Sequence, residues 1–255
     1  MIRRVGLIVP SSNTTMETEL PELFRRRAAL TGEEFTWHSA RARMSHVTPE
    51  ELDRMVEASD VSAQSLADAP VEVIAYACLV AVMARGTGAH RDVRARLEAA
   101  LAASPRQPPL VTSAGALVDG LHAIGARRVA MITPYMRPLA ELVADYVRAE
   151  GVEVADLVAL EVSDNLEVGR IAPNVLVEHA RAVCAQDGLD ALVLSACVQM
   201  PSLAVVKLVE DEVGIPVVTA ATATARAILL ALGLQPTIPD AGRMLAGDAT
   251  TVGAA

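Results

Sequence analysis

Val71-Glu-Val-Ile-Ala-Tyr-Ala-Cys78-Leu-Val80 is a short apolar run with β-branched and aromatic members. That is the composition of a strand buried on both faces of a parallel sheet. Cys78 lies near its downstream end, and in open parallel α/β sheets ligands bind outside the carboxyl ends of the strands. The pattern recurs at residues 189–200, Leu-Asp-Ala-Leu-Val-Leu-Ser-Ala-Cys-Val-Gln-Met, a second buried run leading into Ala-Cys. The expectation is that Cys78 and Cys197 face one another across a shared cleft.

Outward from these two runs, strands alternate with helices. Residues 5–10 read as a first buried strand, breaking into Ser11-Ser12-Asn13-Thr14-Thr15 before a helix at 17–27. Ser, Asn and Thr are capping residues, so that loop reads equally as a helix cap or a ligand loop, and both can hold together. Residues 34–40 read as a strand near a sheet edge. Thr48-Pro49-Glu50-Glu51 is a helix start, with a cap, proline at the first helical position and carboxylates in the first turn. Gly86-Thr87-Gly88 has no third glycine and is not a dinucleotide fingerprint. A helix at 91–103 leads through a proline-containing linker to a strand at 110–113.

The second half follows the same order. A strand at 129–133 ends in Pro134-Tyr135, and Leu139, Leu142, Val143, Tyr146 and Val147 mark an amphipathic helix. A strand at 152–161, a polar exit at 162–165 and a helix at 174–185 precede the Cys197 strand. Pro201-Ser202 opens a helix on which Val206, Val209 and Val213 share a face, followed by a strand at 215–219 and a helix at 220–232. The two prolines Pro10 and Pro134 are offset by 124 residues and the two cysteines by 119, which predicts a duplicated unit. The fold class expected is α/β, two pseudo-symmetric lobes with parallel sheets and the site between them. The small-residue helices after residues 113 and 219 cross over and tie the halves together. The predicted division is 1–112 plus 220–255 for one lobe and 113–219 for the other.

The chain has 255 residues, 52% hydrophobic but 2% aromatic, so its core is built from Ala, Val and Leu. No apolar run approaches the roughly 18–20 residues of a membrane span, and the apolar patch at 5–10 is too short for a signal-peptide core. A cytoplasmic protein is expected. A net charge of −9 argues against nucleic acid or anionic membrane as partner. Three cysteines in such a chain are expected to be reduced thiols.

Cysteine is by default a small core hydrophobe, and Cys184, aligned with Ala180 and Val177 on a helix, is read that way. Cys78 and Cys197 are read as functional because both end strands, both follow Ala and both occupy equivalent places in the repeat. A thiol near a helix N-terminus has a lowered pKa, and the helix starting at Pro201 offers N–H groups that could also hold a carboxylate. Residues 79–83 after Cys78 read as loop or helix. Histidines 38, 46, 90, 122 and 179 have no metal-ligand spacing and form no evident dyad with cysteine, and no Walker or nucleophile-elbow motif appears. A pair of thiols working without metal or organic cofactor remains.

Several motifs add a resemblance: Val9-Pro10-Ser11-Ser12-Asn13, Tyr76-Ala77-Cys78-Leu79-Val80, Thr133-Pro134-Tyr135-Met136-Arg137-Pro138, Asp164-Asn165 and Ser195-Ala196-Cys197-Val198-Gln199-Met200-Pro201-Ser202. In order and over nearly the whole chain, they resemble the aspartate/glutamate racemase superfamily and, within it, the maleate cis–trans isomerase family. The resemblance implies two flavodoxin-like lobes, usually in a homodimer, and a cofactor-free, metal-free site for a small dicarboxylate. It implies Cys78 as nucleophile and Cys197 as proton donor. Asn13, Tyr135 and Asn165 would bind the carboxylates, helped by backbone N–H groups near Leu79, Val80, Val198 and Gln199. Two other readings stand beside it: an amino-acid racemase using two thiols, and a dicarboxylate-binding module without turnover. The racemases usually carry Asn or Thr after the cysteines to hold an ammonium group, whereas Leu79 and Val198 suit a substrate without an amine. Arylmalonate decarboxylases keep only the second-half cysteine, and this chain has both.

Overall fold

A computed structural model describes residues 2–44 and 46–247 of the chain; residues 248–255, assigned above to the first lobe, lie outside the described residues. The first half runs β1 (Ile2–Pro10), α1 (Met16–Thr31), β2 (Glu34–Ala42), α2 (Pro49–Ala67), β3 (Val73–Tyr76), α3 (Leu79–Met83), α4 (Ala89–Leu101) and β4 (Leu110–Thr112). The second runs α5 (Ser113–Ala123), β5 (Arg128–Thr133), α6 (Arg137–Ala149), β6 (Glu153–Ala159), α7 (Asn165–Val168) and α8 (Pro173–Val183). It continues with β7 (Ala191–Ser195), α9 (Leu203–Val213), β8 (Val217–Thr219) and α10 (Ala220–Ala231).

Two four-stranded parallel sheets result, ordered β2-β1-β3-β4 and β6-β5-β7-β8. The order is the same in each, so the duplication expected from the two Ala-Cys runs is present in the topology. Burial follows position. β3 and β7 are buried along their whole length, while the edge strands β2 and β6 are only partly covered. Central strands therefore carry continuous apolar runs and edge strands carry polar residues, as parallel sheets with helices on both faces require.

α5 and α10 join the two units. α5 is rich in Ala and Gly and α10 in Ala and Thr, and small side chains let two backbones approach closely. A methyl group at Gly120 would stand 2.9 Å from Met244 Sδ and 3.6 Å from Ala223 Cβ. Thr224 Oγ1 donates to Ser113 Oγ at 2.9 Å in the buried contact between the helices. α10, which follows the last strand of the second sheet, packs on α1, β3 and β4 of the first unit as well as on α5.

Four local expectations are corrected or refined. The ordered strand within 71–80 is confined to β3, and Leu79-Val80-Ala81-Val82-Met83 turns into α3, buried all round; tertiary burial outweighs the weak helix propensity of valine. The polar exit at 162–165 contains the start of α7, where Asp164 Oδ1 accepts from the N–H groups of Leu166 at 2.7 Å and Glu167 at 3.2 Å. Leu142 stands 50% exposed, because α6 turns Ala140, Val143, Ala144 and Val147 inward instead. The strand leading to Cys197 ends at Ser195, and α9 begins at Leu203.

Candidate active site

The loops that leave the carboxyl ends of β1, β3, β5 and β7 carry Asn13, Cys78, Tyr135 and Cys197, the inner strands of both sheets. All four side chains are buried, as are Leu79, Val80, Asn165, Val198 and Gln199. Hydrogen bonds join the β1–α1 loop of one lobe to the β7–α9 loop of the other. Asn13 Nδ2 donates to Val198 O at 3.0 Å, Thr15 Oγ1 donates to Gln199 O at 2.8 Å, and the Thr14 N–H donates to Gln199 Oε1 at 3.1 Å.

Gln199 is the centre of this seam. Its Nε2 donates to Asn165 O at 3.1 Å and to Ser12 O at 3.3 Å. Gly169 is pressed against the same amide, and a methyl group there would stand 2.7 Å from Nε2. Asn165 completes the ring, donating from Nδ2 to Ser12 Oγ at 2.7 Å. Asn13 also holds the start of α1, its Oδ1 accepting from the Met16 N–H at 3.1 Å. It both holds the start of a helix and reaches across the cleft, as the capping reading of its loop requires and the ligand reading allows. Asn13 and Asn165 each spend an amide hydrogen here on a neutral acceptor, Val198 O and Ser12 Oγ.

The thiols are electrostatically coupled. Burial pushes the Cys78 thiol up to about 12; the Ala81 N–H opposes this, and the nearby Cys197 adds to it. Burial also raises Cys197, but Tyr135 and the backbone N–H groups of Gln199 and Met200 work against it. The Gln199 N–H lies 3.3 Å from Cys197 Sγ. Tyr135, whose hydroxyl donates to Ala196 O at 3.3 Å, is itself raised by burial and then by Cys197 and Cys78. The structure thus brings both thiols and Tyr135 into one electrostatic neighbourhood. The expectation that helix starts lower the thiol pKa is reversed in sign, because dehydration of the sulfur outweighs the N–H donors.

A second correction concerns α9. Its first N–H groups are not free for a ligand: Glu19 Oε1, from α1 of the other lobe, accepts from Ser202 N at 2.6 Å and Leu203 N at 2.7 Å. Sequence reasoning missed Glu19. A carboxylate in the first turn of α1 reads as a favourable partner for that helix's own dipole, and nothing local points to a partner 183 residues away. The Gln199 side chain was missed for the same reason. α7, by contrast, had a signal in Asp164 followed three residues later by Glu167, a capping pattern.

Other features lie apart from this site. Cys184 closes α8 half-buried, and burial raises its thiol to about 11. A surface cavity of about 500 Å³ is lined by His90, Arg91, Leu110, Gly115, Asp119 and Leu230 among others, none of them a residue of the cleft. No group of three or more His, Cys, Asp or Glu among the described residues is arranged to hold a metal ion. No helix among them is long and apolar enough to cross a membrane.

Comparison with known proteins bears on the two-thiol cleft. A family model described as arylmalonate decarboxylase matches residues 5–245. Maleate isomerase from Alcaligenes faecalis is 53% identical over 245 residues, 96% of each chain. The crystal structure of maleate isomerase Iso from Pseudomonas putida S16, a Cys-to-Ala variant with maleate, superposes with a TM-score of 0.93 at 50% identity, covering 97% of this chain and 99% of that one. A Nocardia farcinica maleate cis-trans isomerase, a Cys-to-Ser mutant with a covalently bound succinylcysteine intermediate, gives a TM-score of 0.91 at 50% identity over 96% and 98%. Paired strand-end thiols on duplicated lobes, with half the residues shared over nearly full length, place this chain in the maleate isomerase family.

Proposed function

We propose that this protein interconverts maleate and fumarate by reversible addition of a cysteine thiol to the double bond. The observation that carries the reading is the coupled pair Cys78 and Cys197, both buried at strand ends among neutral hydrogen-bond donors, in a chain 53% identical to a maleate isomerase. Cys78, having released its thiol proton to solvent, attacks one alkene carbon as thiolate. The S–C bond forms, and the π pair moves to the adjacent carbon and its carboxylate, where fixed donors stabilise the charge. Cys197 gives its proton to that carbon, leaving a succinyl thioether on Cys78 and a thiolate at Cys197. Rotation about the new single bond follows. Cys197 then takes a proton back, the S–C bond breaks, and the trans alkene leaves with Cys78 again a thiolate.

One negative charge serves both sulfurs in this scheme. Coupling between the buried thiols opposes a second ionisation, so the charge moves from Cys78 to Cys197 and back. The extra donors on Cys197 suit it as the acid. The weaker support at Cys78 suits the nucleophile, since thiolates of higher pKa are intrinsically more reactive. The succinylcysteine captured in the Nocardia relative is the protonated adduct and favours this route over rotation in an unprotonated enediolate. Asn13, Tyr135 and Asn165 bind the two carboxylates, with the N–H groups near Leu79, Val80, Val198 and Gln199. The apolar side chains of Leu79 and Val198 leave an ammonium group without a partner.

The same reading divides the chain into a lobe of residues 1–112 plus 220–255 and one of 113–219, supported by the packing of α10 on α1, β3 and β4. It makes the protein a cytoplasmic homodimer, in keeping with three unpaired thiols and with the superfamily resemblance.

Purified protein incubated in D₂O with maleate, and separately with each enantiomer of aspartate and glutamate, tests the reading by proton NMR. The expected result is growth of the fumarate signal without added cofactor, and amino acids that keep their α-protons. Deuterium entering an amino acid while maleate stays unchanged would replace this reading with a racemase. Maleate binding without conversion in any tube would make the protein a binding module.

A further inference from the structure

We infer that Glu19 is a positioning residue for Cys197, holding the loop that aims the second thiol from the opposite lobe. The inference rests on the proposed role of Cys197 in the reaction. Helix starts leave N–H groups that an N-cap side chain ordinarily accepts. At α9 the N-cap is Ser202, whose own side chain makes no such bond. Glu19 supplies the acceptor instead, with one oxygen, Oε1, taking both the Ser202 and Leu203 N–H groups. Its Oε2 lies 3.5 Å from Ser202 Oγ.

Glu19 does not act alone. Thr15, one turn earlier, carries the α1 backbone bond from the Glu19 N–H at 2.8 Å, and its hydroxyl holds Gln199 O. Asn13 holds Val198 O. Three residues in and just before α1 therefore grip the loop from Cys197 to α9 at Val198, at Gln199 and at its far end, Ser202 and Leu203. The consequence for chemistry lies in the middle of that loop. The Gln199 N–H that lies 3.3 Å from Cys197 Sγ shares its peptide plane with the Val198 carbonyl held by Asn13. Thr15 holds the next carbonyl, and the Met200 N–H that also supports Cys197 follows on the way to the Glu19 contacts. Releasing the α9 end removes the downstream anchor of this loop, so that the donors facing the sulfur are held from the Asn13 and Thr15 side alone, while Cys78 and the carboxylate-binding amides stay where they are.

The work is done by hydrogen bonding rather than by charge. A single oxygen accepts both N–H groups, and burial raises the Glu19 pKa in spite of them. An amide of the same shape can therefore replace the carboxylate, and an apolar side chain of similar length cannot.

Three variants test this: Glu19→Gln, Glu19→Met and Glu19→Asp. Each is measured for kcat and KM with maleate, and for the rate at which iodoacetamide labels Cys197 relative to Cys184 by peptide mass spectrometry. Glu19→Met is expected to stay folded, hold KM within about threefold, lose on the order of tenfold or more in kcat, and change the labelling rate of Cys197. Glu19→Gln restores both readouts to within about threefold. Glu19→Asp keeps the charge but withdraws the oxygen by about one bond length; it is expected to lose kcat as well, since about 1 Å of misplacement can cost on the order of 100-fold. It carries the test if Glu19→Met does not fold. A Glu19→Met protein that melts earlier but keeps wild-type kcat and Cys197 labelling overturns the inference, as does Glu19→Gln impaired as deeply as Glu19→Met. If the wild type itself does not turn over maleate, the proposed function fails, and Cys197 labelling alone then decides the role of Glu19.

Discussion

Thr14 and Gln199, 185 residues apart in the chain, are joined across the lobes by the Thr14 N–H and Gln199 Oε1 at 3.1 Å. The opposite end of that amide holds Asn165 O and Ser12 O. One neutral side chain thus ties the β1–α1 loop to α7 and to the Cys197 loop, and no charge is buried to do it. A charged residue here would have to be desolvated, with only partial return from its partners.

Removing this tie takes the partner from the Thr14 N–H and the donated hydrogen from Ser12 O, and leaves Asn165 O with the longer bond from the Gly169 N–H at 3.4 Å. Gln199→Leu is expected to lower the melting temperature by on the order of 5 °C, from about 1–3 kcal/mol of unsatisfied polar groups, and to reduce kcat/KM as well. Gly169→Ala acts through the same amide, because its new methyl group has to displace Nε2. It should cause a smaller loss in both. Thermal unfolding by circular dichroism and an assay of vinyl protons check the pair; a Gly169→Ala protein as stable and active as wild type would mean that the Gln199 amide is free to move.

Cys78→Ala is expected to abolish turnover with the fold intact, since the change is small and all five residues of α3 are themselves buried. Cys184→Ala should remain active and lose a little stability, because a half-buried apolar group at the end of α8 has been trimmed. Circular dichroism and the same NMR assay separate the two variants. Isomerisation at the wild-type rate by folded Cys78→Ala would remove that thiol from the mechanism, and an inactive, folded Cys184→Ala would overturn the structural reading of the third cysteine.

The parts legible in sequence are those built from near neighbours in the chain. The runs ending at Tyr76 and Ser195 read as strands because parallel sheets bury both faces, and the matching Ala-Cys pairs exposed the duplication. Thr48 as the cap of α2 was readable too, and its hydroxyl accepts the Glu51 N–H at 3.4 Å. α3 was ambiguous because its five residues are apolar on every side and show no period. Glu19 and Gln199 were invisible in their interlobe roles, since each serves partners more than 180 residues away. The sign of the thiol shifts was missed for a related reason: dehydration depends on what both lobes bring to the sulfur, and a helix start is only the local part of that sum.

Asn165→Ala tests the carboxylate site. Its amide hydrogen is held by Ser12 Oγ at 2.7 Å, a neutral bond that a carboxylate replaces with a stronger one. A hydrogen bond to a charged group contributes about 1.5–3 kcal/mol, so kcat/KM for maleate should fall by on the order of tenfold or more. Loss of the Ser12 contact is a smaller effect, because Ser12 is half-buried and can turn to solvent. Steady-state kinetics decide it, and an unchanged kcat/KM would place Asn165 outside the maleate pocket.

The Cys78 thiol offers a test that needs no substrate. Its pKa is pushed up to about 12, first by burial and then by Cys197, against the Ala81 N–H. A group raised in the folded state contributes stability that is present below its unfolded value and lost as pH climbs through the folded one. Wild-type protein should therefore lose stability on going from about pH 9 towards about pH 12, and Cys78→Ala should lose less over that range. Labelling follows the same linkage. Iodoacetamide reaches Cys78 through transient opening of the cleft, and the exposed thiol ionises ordinarily, but the closed thiol form dominates the population. The labelling rate should then rise about tenfold per pH unit from about pH 7 to about pH 10 without levelling at the ordinary thiol value. Saturating maleate should slow it at every pH. Peptide mapping separates Cys78 from Cys184 and Cys197 in the same sample. A plateau near the ordinary value would mean that Cys78 spends its time open to water, and the single-charge scheme linking it to Cys197 would lose its basis.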